Sequence, residues 1–179
     1  MNESIERILF SEEDLKNACK KMGRQITEDY KGKNPLLVGI LKGSITFMAD
    51  LMREIDLDCE IDFMVAQSYG DSAVSSGVVQ IKKDLETDIK DRDVIIIEDI
   101  LDSARTLYNV KHTLMERGPA SIKIATLLDK NVERAVDLKS DYKCFDIENE
   151  FVVGYGLDYA QQYRCLPYIG ILKREVYEK

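Results

Sequence analysis

The sequence has little from which to build a metal–thiolate centre. Its four cysteines, Cys19, Cys59, Cys144 and Cys165, form no Cys-x-x-Cys pair, and it contains a single histidine. A structural zinc site is therefore not expected. Scattered cysteines in a chain without a secretory leader read as reduced, small apolar packers, and the expected location is cytoplasmic. The opening residues, MNESIERILF, lack a basic stretch followed by an apolar core, so a signal peptide is not expected. No apolar run approaches the roughly 20 residues of a membrane helix, and no membrane partner is expected. Basic charge is in deficit: 25 Lys+Arg stand against 33 Asp+Glu, a net charge of −8. That balance disfavours a nucleic-acid partner, which calls for a basic face. There is no GxxxxGK[ST] loop and no GxGxxG after a strand, which sets aside a P-loop and a dinucleotide fingerprint. Internal repeats and low-complexity linkers are absent as well.

What is present is an ordinary globular composition, 45% hydrophobic and 32% charged over 179 residues, which fits one domain spanning 1–179. Residues 5–9 read as a strand. Ser11 precedes an acidic first turn, and Leu15, Ala18, Cys19, Met22, Ile26 and Tyr30 continue one helical face up to Gly32. Residues 35–41 form a continuous apolar run, as in a strand buried on both faces. A helix through Phe47, Leu51 and Ile55 follows. Cys59, Ile61, Phe63 and Val65 alternate as a strand ending at Ser68 and Tyr69. The polar tract 70–77 reads as a loop, and 78–82 as a returning strand. Residues 94–97 are the clearest buried strand. A helix bearing Leu107, Val110, Leu114 and Met115 follows and stops at Gly118-Pro119. Residues 122–128, 142–147, 151–154 and 168–172 complete the strands. Strand–helix alternation predicts an α/β fold, with a mostly parallel central sheet flanked by helices.

Ligands of such sheets bind beyond the carboxyl ends of the strands. Four strand ends carry suitable residues: Leu41-Lys42-Gly43, Ser68-Tyr69, Glu98-Asp99 and Asp129-Lys130. Residues 95–107 are the most informative. An apolar strand delivers two carboxylates, and a short loop bearing Asp102 and Ser103 then enters a helix. Free amides of residues 103–106 at the positive helix end suit a phosphate. The carboxylates suit sugar hydroxyls or Mg²⁺. The plainer reading is a solvated strand end with Asp102 or Ser103 as a helix cap. His112 lies off the apolar stripe of its helix and reads as a surface residue.

Residues 95–107 resemble the phosphoribosyl pyrophosphate (PRPP) signature of type I phosphoribosyltransferases. Residues 151–170 resemble the C-terminal block of the hypoxanthine members of that family. Leu41-Lys42-Gly43, Ser68-Tyr69 and the segment 127–130 match in order and spacing. The resemblance implies the type I fold, with a core of about residues 35–140 and a small hood made by the N-terminal segment and about 141–179. It implies an enzyme, a pentosyl transferase of purine salvage. That enzyme moves 5-phosphoribosyl from PRPP to N9 of hypoxanthine, and of guanine, with release of pyrophosphate. The alternative is a regulatory PRPP- or nucleotide-binding protein on the same fold with little or no catalysis.

The resemblance also implies residue roles. Asp102 is the general acid/base. Leu41, Lys42, Gly43, Glu98, Asp99, Asp102, Ser103, Ala104, Arg105, Thr106 and Arg164 bind PRPP and its phosphates. Lys130, Phe151, Val152 and Asp158 bind the purine, with Phe151 stacking on it and Lys130 donating to O6. Ser68 and Tyr69 form a lid. Glu98, Asp99 and Asp158 hold Mg²⁺. The Leu41–Lys42 peptide is expected to be cis, and the assembly a homodimer or homotetramer. One departure stands out: the family's glycine in the phosphate loop is Ala104, where a Cβ meets a backbone that calls for an unusual φ. An acidic chain with an anionic substrate is no contradiction, because Lys42, Arg105, Lys130 and Arg164 are all assigned to one cleft.

Overall fold

A computed structural model describes residues 2–68, 79–134 and 136–178. The chain order is β1 (Ile5–Phe10), α1 (Glu12–Asp29), β2 (Leu36–Ile40), α2 (Ile45–Arg53), β3 (Glu60–Ser68), β4 (Val79–Lys83), β5 (Asp93–Leu101), α3 (Arg105–Met115), β6 (Ser121–Lys130), β7 (Tyr142–Ile147), β8 (Val152–Val153), β9 (Ile169–Leu172) and α4 (Arg174–Tyr177). Among the described residues, β4-β3-β2-β5-β6-β7 form a six-stranded sheet. Its pairings are parallel except that of β4 with β3. A second sheet, β1-β9-β8, is antiparallel. This is the α/β architecture expected from strand–helix alternation.

Period-two burial assigns each strand residue to a layer. On β5, Ile95 and Ile97 join the cluster under α1 and α2, and Val94 and Ile96 join the one under α3. On β2, Leu37 takes the first face, and Leu36, Val38 and Ile40 take the second. Both faces are therefore covered, which is why these strands read as unbroken apolar runs. Helix α1 starts where Ser11 closes a capping box: its hydroxyl accepts from the Asp14 amide, and the Asp14 carboxylate accepts from the Ser11 amide. Leu15, Cys19, Met22 and Ile26 lie on its buried face.

The structure redraws several boundaries. β5 does not stop at residue 97 but runs to Leu101, so Glu98 and Asp99 stand inside a paired strand. Helix α2 ends at Arg53, short of Ile55, and the strand expected over 151–154 is only Val152–Val153. Residues 142–147 are β7, an edge of the main sheet, because their register pairs them with β6. Helix α1 packs on that sheet too, leaving only β1 of the N-terminal segment in the small sheet. No helix among the described residues is long and apolar enough to cross a membrane.

Candidate active site

The carboxyl ends of β2 and β5, the start of α3 and the turn 154–164 enclose a cleft of about 340 Å³. It brings together Leu41, Lys42, Gly43, Glu98, Asp99, Asp102, Ser103, Ala104, Thr106, Asp158 and Arg164. Eleven positions spread over 124 residues of chain thus meet at one place, the one a parallel sheet favours.

Helix α3 enters the cleft uncapped. Neither Asp102 nor Ser103 caps it; the N-cap is Ala104, with φ +62° and no side-chain hydrogen bond. Tyr108 donates to the Ala104 carbonyl at 2.8 Å. The amides of Ser103, Ala104, Arg105 and Thr106 have no acceptor among the described residues. Such free amides at a helix start form a ready anion seat. The left-handed backbone at Ala104 is the one a glycine would take without cost.

Glu98 and Asp99 lie side by side at the floor. Burial, with the neighbouring Asp99 carboxylate, holds Glu98 well above the usual carboxylate range. Burial raises Asp99 as well, against hydrogen bonds that favour its charged form, among them one from the Ile100 amide at 2.8 Å. No lysine or arginine pairs with either carboxylate among the described residues. Gly43 makes room for this pair, because a Cβ there would fall 1.6 Å from Asp99 Oδ2. The Leu41–Lys42 peptide beside it is cis. Gly156 in turn abuts Gly43: a Cβ on Gly156 would fall 2.2 Å from the Gly43 carbonyl oxygen.

The cations sit opposite, each with a partner. Arg164 pairs with Asp158 at 2.7 Å and donates to the Gly156 carbonyl at 2.7 Å. Lys130 reaches Asp102 Oδ2 at 3.1 Å; the lysine is 12% exposed and the aspartate 53%. Lys130 is thus fixed from below, and Asp102 keeps its open side to the cleft. Lys130 also lines an adjoining cavity of about 670 Å³. Among the described residues no three His, Cys, Asp or Glu side chains converge. Glu98, Asp99 and Asp158 therefore do not form one preformed metal site.

Other expected positions fall elsewhere. Arg105 is exposed and does not line the cleft. Phe151 stacks on Tyr177 of α4, with centroids 4.6 Å apart, and meets Tyr159 edge-on at 5.6 Å. Val152 is buried and paired with Ile171. Ser68 ends β3, pairing with Val79, and Tyr69 with the polar loop 70–77 lies outside the described residues. His112 is exposed and stacks on Tyr108. Burial pushes the Cys19 thiol up to about 11, which suits a packer and not a nucleophile.

Some residues escaped sequence reasoning, among them Arg134 and Tyr155. Arg134 holds the strand ends together. Its guanidinium meets the Asp129 carboxylate and donates to the carbonyls of Leu101, Asp102 and Lys130 at 3.2, 3.1 and 2.9 Å. It lies in an aperiodic polar stretch that gave no signal. Tyr155, at φ +52°, donates its hydroxyl to Asp50 of α2 and so pins the 154–164 turn to the main sheet's helix layer.

A family model, phosphoribosyl transferase domain, matches residues 8–160. Over 177 residues the chain is 55% identical to a hypoxanthine-guanine phosphoribosyltransferase of Streptococcus pneumoniae, covering 99% of this chain and 98% of the relative. The corresponding protein of Streptococcus thermophilus is 53% identical over 179 residues, 100% of this chain and 99% of its own. A crystal structure of a hypoxanthine phosphoribosyltransferase from Staphylococcus aureus superposes with a TM-score of 0.95 at 49% identity, covering 98% of this chain and 96% of that one. With the uncapped α3 terminus and the carboxylate pair in one cleft, these matches place the chain in the hypoxanthine-guanine phosphoribosyltransferase family of purine-salvage enzymes.

Proposed function

We propose that this cleft transfers 5-phosphoribosyl from PRPP to N9 of hypoxanthine or guanine. The observation that carries the residue-level reading is the set of amides at residues 103–106, without an acceptor among the described residues, opening beside Glu98 and Asp99. One end of that surface suits a terminal phosphate, and the other suits a ribose. With Ser103 and Thr106 adding hydroxyls, the loop would hold the 5-phosphate. Glu98 and Asp99 would hold the ribose hydroxyls, and their negative field would stabilise positive charge developing on the sugar as pyrophosphate leaves. The pyrophosphate would depart with the C1–O electron pair toward Lys42 and Arg164. N9 supplies the new bond to C1, and the base loses one ring proton, which Asp102 would accept.

Lys130 would donate to O6, and its 3.1 Å contact with Asp102 links purine recognition to the proton acceptor. Mg²⁺ fits the hard oxygen donors of the site. Glu98 and Asp99 pair with no lysine or arginine among the described residues, and Asp158 would stand apart from them on the pyrophosphate side. When bound, the ion neutralises charge on the pyrophosphate as it leaves. Phe151 would offer the purine the face that Tyr177 leaves uncovered. Closure by Ser68 and Tyr69 belongs to this reading as its lid.

Self-association as a homodimer or homotetramer also belongs to it. Its support is Ile45 and Met52, exposed seven residues apart on α2. The four free cysteines fit a reducing, cytoplasmic setting.

The test is an assay with PRPP, Mg²⁺ and each of hypoxanthine, guanine, xanthine and adenine. Nucleotide and pyrophosphate should form with the first two. No turnover with either overturns the reading and would revive the regulatory alternative.

A further inference from the structure

Lys42 and Arg164 reach the cleft from different segments, yet their cationic groups meet on one atom. Lys42 Nζ and Arg164 Nη2 each donate to Oε1 of Gln161, both at 3.3 Å. Both partners are donors only, so the amide must present its oxygen and not its NH₂. Arg164 is offset by the Asp158 carboxylate at 2.7 Å, whereas among the described residues Lys42 meets only this neutral dipole, which offsets its charge in part. The point beside Lys42 therefore favours an anion over the amide.

Gln161 is held at that point by its own backbone. It has φ +67° and follows Ala160 at +50°. Its amide N–H donates to Asp158 Oδ2 at 2.8 Å, and Asp158 Oδ1 pairs with Arg164 at 2.7 Å. The Tyr159 and Gln162 backbones bond to each other across the turn. The side chain is therefore aimed inward by a constrained turn, and left-handed residues of this kind gather where a site needs them.

We propose that Gln161 sets the affinity of the site for pyrophosphate. Its amide oxygen occupies the seat of a pyrophosphate oxygen between Lys42 and Arg164 and competes with it. The inference rests on the assignment of Lys42 and Arg164 to pyrophosphate. PRPP must displace the amide to bind, and the amide returns as pyrophosphate leaves. Apparent affinity for the anion falls by the fraction of time the seat is open. The two bonds are long and Lys42 is exposed, so the effect is modest.

The experiment is calorimetric titration of the full chain with magnesium pyrophosphate, alongside steady-state kinetics. Gln161→Ala should bind pyrophosphate about three- to tenfold more tightly, with a matching fall in KM for PRPP. Gln161→Met keeps the length of the side chain, lacks the acceptor and should do the same. A thermal denaturation midpoint within about 2 °C of the parent confirms that each variant folds. Unchanged or weaker pyrophosphate binding in either folded variant overturns the proposal. Lys42→Ala separates this failure from failure of the underlying assignment. It should weaken pyrophosphate binding and shrink the gain from Gln161→Ala in the double variant. If Lys42→Ala leaves pyrophosphate binding unchanged, the assignment of Lys42 itself is wrong.

Discussion

The two ends of the central sheet carry charge in opposite ways. At the amino end, charges are closed into pairs. Asp93 accepts from Ser121 and pairs with Lys33, Arg92 reaches Glu60 at 2.9 Å, Lys123 reaches Asp141 at 2.8 Å, and Tyr142 donates to Asp29. At the carboxyl end, Glu98 and Asp99 lie together with no lysine or arginine paired to them among the described residues, α3 starts without a side-chain cap, and a left-handed alanine shapes the loop. The amino end satisfies its groups internally; the carboxyl end pairs Lys130 with Asp102 and Arg164 with Asp158 but leaves the Glu98–Asp99 carboxylates and the α3 amides for a ligand. The difference separates stability from function along the same strands, because β5 begins at Asp93 and runs on through Glu98.

The sharpest break in that contrast is Asp102→Asn. Losing the proton acceptor should lower kcat by about 100-fold or more. KM for PRPP should move far less, and thermal denaturation should barely shift. Equal kcat in variant and parent would remove Asp102 from the proton-transfer role.

Glu98→Gln should separate the two properties in opposite directions. Removing one of two adjacent carboxylates should weaken Mg²⁺-dependent PRPP binding at least about tenfold and stabilise the unliganded chain by about 1 kcal/mol. For a chain of this size that is a rise of roughly 2–4 °C in Tm. A fall in the unliganded Tm would mean that the pair is not held against its own repulsion.

Ala104→Gly tests the left-handed position. An L side chain there costs about 1–2 kcal/mol, and glycine returns about 0.5–1 kcal/mol through its freer unfolded chain. The net gain should be about 0–1.5 kcal/mol by denaturant unfolding. KM for PRPP should change without loss of turnover. Unchanged kinetics would show that the methyl group does not touch the bound phosphate.

The smallest effect belongs to the amino end. The Ser121 hydroxyl and, behind it, the Lys33 ammonium hold Asp93 below the ordinary aspartate value of 3.8. A depressed pKa adds stability above the unfolded value, and that stability is lost as pH falls through the native one. Asp93→Asn should therefore lose about 0.5–1 kcal/mol at neutral pH, discounted because Lys33 is half exposed. The gap from the parent should close as pH falls below 3.8. Activity should be unaffected. A large loss of kcat would show that the two ends are coupled.

Most of the architecture was legible because it rests on local period. Ser11, the apolar run before Lys42 and the strand leading to Glu98 each announce an element that the structure contains. Strand limits were less legible. Glu98 and Asp99 look like a strand's polar end, but pairing with β6 carries β5 on to Leu101. Residues 142–147 alternate as any edge strand does, and only their register assigns them to the main sheet. In the site, the carboxylate pair and phosphate loop are contiguous and could be read directly. Arg134 and Gln161 could not. Their roles arise from carbonyls and cations brought from distant segments, such as Lys42, which lies 119 residues from Gln161. Phe151 was legible as an aromatic but not as the partner of Tyr177.

The abutment of Gly43, Gly156 and Asp99 has a consequence for how such a chain can vary. Each of the three comes from a different stretch of sequence, and each occupies space that another would need. A methyl group at Gly43 would displace Asp99, and one at Gly156 would displace Gly43. Neither glycine can drift alone, and a turn grafted from a relative is accepted only if it arrives with no side chain at position 156. The 154–164 segment and the loop at 41–43 therefore constrain each other sterically, although more than a hundred residues lie between them.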